Sequence, residues 1–189
     1  MVMLSINILA GAIGGFAIGC GMAAAHRAAG RSWISTTAGA AIGGLVIGGA
    51  VKMVGADAFS VLLGKTPGGI AGGFEGMLLG GAVGLGSHLS LARVRSWPSI
   101  SGAALAGGAM GAVLPLIGGR LMGASLDSLA ATFPESPLNI DALGRWFGET
   151  HFGIIAQMGF GAFEGFVFGT AITVAIRYAN TLLSELDAR

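Results

Sequence analysis

The feature that most constrains this chain is a glycine at every fourth position, repeated through apolar stretches that carry almost no charge. The third stretch has Gly68, Gly72, Gly76, Gly80 and Gly84 in one register. The first has Gly11, Gly15 and Gly19, the fourth Gly107 and Gly111, and the fifth Gly161, Gly165 and Gly169. The second carries two interleaved pairs, Gly39 with Gly43 and Gly44 with Gly48. Residues four apart share one face of an α-helix, so each stretch presents a stripe bare of side chains. Burial of apolar surface does not drive helices together in lipid, and such a stripe lets two backbones approach to van der Waals contact. Spacing by four also excludes a collagen triple helix, which needs glycine at every third residue.

Composition decides the solvent. Of the 189 residues, 53% are hydrophobic and only 10% charged, against about 25% charged in a soluble domain. In water such a chain would expose large apolar patches and aggregate. The net charge of +1 points to no nucleic acid, and the single Cys20 allows no intrachain disulfide.

A helix needs about 20 apolar residues to span the hydrocarbon core. Five stretches satisfy this, at 3–25, 35–54, 67–91, 98–118 and 152–176. The expected fold is therefore an all-α integral membrane protein, one transmembrane domain over 1–189, built as a five-helix bundle with glycine-zipper packing. Pro67 suits the first turn of the third helix, and Pro115 is expected to bend the last turn of the fourth. The first helix has no basic segment before it and reads as retained, not as a cleaved signal. Residues 56–63 form a short amphipathic piece, and 119–150 an interfacial segment with short helices near 121–132 and 140–147.

Two parts of the chain look alike. Arg31-Ser32-Trp33 precedes an Ala/Gly-rich helix, and so does Arg95-Ser96-Trp97. Phe74-Glu75-Gly76 in the third helix matches Phe163-Glu164-Gly165 in the fifth, where the first helix has Phe16-Ala17. This pattern predicts a parallel internal duplication of a helical hairpin. Arg31, Trp33, Arg95, Trp97 and Arg177 stand at helix ends, where cations snorkel and indoles lie at the interface. Arg27, Arg31, Arg93, Arg95, Arg177 and Arg189 cluster in short loops and a tail on one side. Lys52, Lys65, Arg120 and Arg145 are spread over longer, acid-containing segments on the other. The positive-inside bias then predicts the N-terminus outside and the C-terminus cytoplasmic, by default in a bacterial inner membrane.

Glu75 and Glu164 are the residues most suggestive of function, because a carboxylate at membrane depth costs about 2.5–3.5 kcal/mol on insertion scales. Two readings stand. Either they form a proton or cation site, or they are hydrogen-bonded ties between helices. His26 and His88 end helices on the inner side and His151 lies outside, so they form no metal triad. The turn Lys65-Thr66-Pro67-Gly68-Gly69 reads as a helix start, and Asp127, Glu135, Asp141 and Glu149 as solvated loop charges. No nucleophile–base grouping and no cofactor fingerprint is present. The expected role is non-enzymatic: a scaffold, an assembly subunit, or the membrane domain of a signalling or stress-response system. Its partners would be the bilayer and either further copies or a larger membrane complex. The alternative is a small proton, cation or solute channel or carrier using the two glutamates.

Overall fold

The structure is a computed structural model that describes residues 2–92, 98–135 and 140–187. Among them every regular element is a helix. In chain order these are α1 (Val2–Ala29), α2 (Trp33–Leu63), α3 (Gly73–Ala92), α4 (Pro98–Val113), α5 (Met122–Thr132), α6 (Asp141–Arg145) and α7 (Ile154–Asp187). Three helical stretches are long and apolar enough to cross a membrane: Trp33–Leu63, Gly102–Thr132 and Ile154–Tyr178.

Local chemistry sets the boundaries. Ser32 caps α2: its Oγ accepts the Ser35 N–H at 3.1 Å, and its own N–H is donated to Ser35 Oγ at 2.9 Å. This reciprocal pair answers two donors that a helix start leaves open. The helix then runs on to Leu63, taking in the piece expected to be separate at 56–63, and closes on Gly64 at φ 68°. At the end of α4 the chain tightens into a 3-10 turn, Leu114–Ile117, with Pro115 inside it and Gly118 at φ 81° closing it. The ring of Pro115 cannot continue an α-helical ladder, so the turn falls where the proline is.

The third helix departs from expectation. It begins at Gly73, not just after Pro67, so Gly68 lies outside it. In a helix Gly69 and Gly72 would each carry the backbone-entropy cost of a helical glycine, and this segment's N–H groups find side-chain acceptors instead. Ala71 N–H is donated to Ser125 Oγ at 3.0 Å and Gly72 N–H to Glu75 Oε2 at 2.8 Å.

The helices pack in sequence, α1 on α2, α2 on α3, α3 on α4 and α4 on α7, and α1 also meets α7. Where α2 meets α3, a Cβ on Gly44 would strike the Gly76 carbonyl, and one on Gly48 the Gly72 carbonyl. Gly80 stands likewise against Ala40, and Gly84 against Ala40 and Thr36. Where α4 meets α7, Gly107 faces Gly165, Gly111 faces Gly161, and Gly169 faces Ala103. The neighbouring edge of α2 serves α1, with Gly39 on Gly21 and Gly43 on Ala17.

The first helix does not use its expected stripe in this way. Nothing lies within 4 Å of a Cβ on Gly19, and one on Gly15 would make only an ordinary 3.8 Å contact with Ile172. Gly21 is the close-contact residue of α1, because α2 crosses over the Ala17, Gly21 and Ala25 edge. Nothing lies within 4 Å of a Cβ on Gly68 either. Where the helices converge, Ile18, Met22, Ala40, Val83, Ala103 and Ile172 form a buried apolar cluster, with Phe168 and Ile176 packed against it. Each of the five long helices contributes to it.

Gly44→Ala and Gly165→Ala therefore push packed backbones apart and are expected to destabilise the protein by about 1–3 kcal/mol. Gly19→Ala meets open space and is expected to be neutral or slightly stabilising, since alanine favours the helix by about 1 kcal/mol. Denaturant unfolding of the purified protein in detergent checks both.

Candidate functional site

The two glutamates singled out by the sequence converge on one turn of chain. Glu75 is the third residue of α3. Besides Gly72, its carboxylate receives the Arg120 N–H on Oε1 at 3.2 Å. Glu164, on the third turn of α7, accepts the Met122 N–H on Oε2 at 2.9 Å and the Gly123 N–H on Oε1 at 3.0 Å. The segment 120–123, which opens α5, is thus held from one side by α3 and from the other by α7. Gly119 stands where a Cβ would sit 3.5 Å from Glu75 Cγ, and a Cβ on Gly123 would sit 3.6 Å from Glu164 Oε1.

A third carboxylate does the same work elsewhere. Glu149 accepts the Ile155 N–H at 3.1 Å and the Ala156 N–H at 2.8 Å, closing the open donors of the first turn of α7. Sequence reasoning had placed Glu149 among solvated loop charges. Its signal was its position, a short step upstream of a long apolar helix, where a carboxylate meets both free N–H groups and the positive end of the helix dipole. Glu75, Glu164 and Glu149 thus stand at the starts of α3, α5 and α7 respectively.

The charged groups around the 118–123 turn are of both signs. The Lys52 stem lies against Gly72, and the Arg120 guanidinium covers Gly69 beside Ser128 Oγ. Asp127, on α5, has Asp141, Arg120 and His151 as charged neighbours. A carboxylate with N–H donors on both oxygens and cations nearby is well placed to hold backbone. It is poorly placed to ligate a metal cation, which needs free oxygens. Among the described residues no group of three or more His, Cys, Asp or Glu is arranged to hold a metal ion.

The remaining candidates are scattered. Trp33 is 57% exposed, Arg31 is exposed and Arg177 half-buried. Arg95 and Trp97 lie outside the described residues. His26 Nε2 pairs with Thr36 Oγ1 at 2.8 Å, and His151 Nδ1 stands 3.9 Å from Asp141 Oδ1 at the surface. The Lys65–Gly69 turn lies upstream of α3 and does not start it. No protein-family model, curated protein or solved structure matches this chain.

Glu149→Ala and Glu164→Ala each strand two backbone donors. Each is expected to lower stability by about 1.5–3 kcal/mol, the range for hydrogen bonds to a charged group. Asp57→Ala, at an exposed position, is expected to stay within about 0.5 kcal/mol. Thermal unfolding of the three variants side by side gives the comparison.

Proposed function

We propose that this chain is a non-enzymatic multi-pass membrane protein that works as a scaffold: an assembly subunit, or the membrane domain of a signalling or stress-response system. The observation that carries the reading is the cluster where the helices converge. It is filled by Ile18, Met22, Val83 and Ile172 with small alanines between them, and the polar side chains buried on the same helices, Thr36, Ser87 and Thr173, are uncharged. Both glutamates that an ion path would use have backbone N–H groups on their oxygens.

In this reading α1, α2, α3, α4 and α7 are the five crossings, and the glycine contacts between them are a zipper. The hairpin is duplicated in parallel. The α2–α3 pair steps through Gly48 with Gly72, Gly44 with Gly76 and Ala40 with Gly80; the α4–α7 pair steps through Gly111 with Gly161, Gly107 with Gly165 and Ala103 with Gly169. Trp33 at the start of α2 and Trp146 on the far side, 79% exposed, suit the two interfaces of a bilayer. The N-terminus faces outward and the C-terminus the cytoplasm, in a bacterial inner membrane. Exposed Phe16, Val46 and Phe163 face lipid, further copies of the chain, or subunits of a larger complex.

The test is proton and cation flux in liposomes carrying the purified protein. Wild type and the Glu75→Gln, Glu164→Gln double variant are both expected to match empty liposomes. Flux in wild type that vanishes in the double variant would replace the scaffold by a channel or carrier built on these carboxylates.

A further inference from the structure

The turn at 118–123 joins α4 to the cap helix α5, and its attachment to the bundle is unusual. Its backbone donors at Arg120, Met122 and Gly123 go to side-chain carboxylates on two other helices. The cap itself is a lightly built element. α5 has 11 residues and buries only Ala124. Its other tie to the α3 side is the Ala71 N–H bond to Ser125 Oγ. Three of the polar bonds fixing this cap are thus made to two carboxylates, whose acceptor strength falls when they are protonated.

We infer that Glu75 and Glu164 form a two-armed latch that holds the 118–132 cap on the bundle while ionised and releases it when protonated. Proton uptake converts a carboxylate oxygen from acceptor to donor. At Glu164 that donor would face the Met122 or Gly123 N–H, replacing an attraction by an opposition of two donors. At Glu75 the same change loosens Arg120 and the start of α3 together. The ionised form also faces the positive end of α5, an attraction that vanishes on neutralisation.

The titratable and charged groups packed around the latch are Lys52 from α2, Arg120 from the turn itself, and Asp127 from α5. Asp141 and His151 stand beyond Asp127. Asp127 and His151 are the two that must be separated from the latch by experiment.

The test uses the full chain in detergent with Cys20→Ser and a single reporter, Ala124→Cys, whose parent side chain is 7% exposed. A hydrophilic maleimide probes it from about pH 8 to about pH 3, spanning the ordinary carboxylate range of about 3.9–4.3. Each rate is divided by that of a Ser60→Cys reporter at an exposed position, so that intrinsic thiol reactivity cancels. The ratio is expected to rise about tenfold on acidification, as charge-assisted bonds are lost, to reverse at neutral pH, and to leave helix content unchanged by circular dichroism. Glu164→Gln is expected to show the raised ratio at every pH, while Asp127→Asn and His151→Gln keep the wild-type transition. A flat ratio in the parent overturns the latch, and so does a rise that is irreversible or accompanied by helix loss. Abolition of the transition by Asp127→Asn or His151→Gln would assign it to those groups instead.

Discussion

Two helices can touch at their backbones only where at least one of them presents no Cβ, and the arrangement of this bundle follows from that limit. α2 meets α1 along Gly39 and Gly43 and α3 along Gly44 and Gly48. Two adjacent glycine stripes therefore put backbone contacts on neighbouring edges of one helix. Close approach brings carbonyls of one helix beside the backbone of the next, where dispersion contacts that are individually tiny become numerous. Little large-side-chain burial is then needed. Among the described residues the largest fully buried side chains are Ile18, Leu114 and Val83, a thin core for a chain of 189 residues.

Close packing carries a second consequence at the helix starts. A helix leaves its first N–H groups without intrahelical acceptors, and a start placed against other helices cannot rely on water for them. α3, α5 and α7 each meet this with a glutamate. α2 starts in a loop and uses the short reach of Ser32 and Ser35. The longer glutamate stem serves where the acceptor must come from another helix or from several residues away. Three of the nine acidic side chains of this apolar chain thus serve as acceptors for backbone N–H groups.

The helical class, the apolar stretches and the importance of glycine were legible because each rests on local periodicity or composition. The pair Glu75 and Glu164 was legible too, since a carboxylate in an apolar run stands out. What they hold was not. The Met122 and Gly123 donors are far away in the chain, and no spacing rule links them to Glu164. The start of α3 was misplaced for a related reason. Pro67 is a sound local signal for a helix start, but Ser125 Oγ, from a distant part of the chain, takes the Ala71 N–H out of a helical role. Gly21 escaped notice because α1 has glycines on several faces, and only the crossing by α2 selects which edge is used.

The same triplet ends in two different jobs, and helix length accounts for it. Glu75 is the third residue of α3 and Glu164 the eleventh of α7, a difference of about two turns at 3.6 residues per turn. In the duplicated hairpin proposed above, the residues that would make those two turns in the first copy are the irregular segment before Gly73. With its helix cut short, Glu75 comes to lie at its own N-terminus and can bind Gly72. Glu164 keeps its helix and turns outward to bind the start of α5. Shortening α3 also exposes Ala71 to Ser125 and makes room for the Arg120 guanidinium over Gly69. The irregular segment before Gly73 thus forms the seat on which the cap rests, and α7 supplies the carboxylate that binds the start of α5.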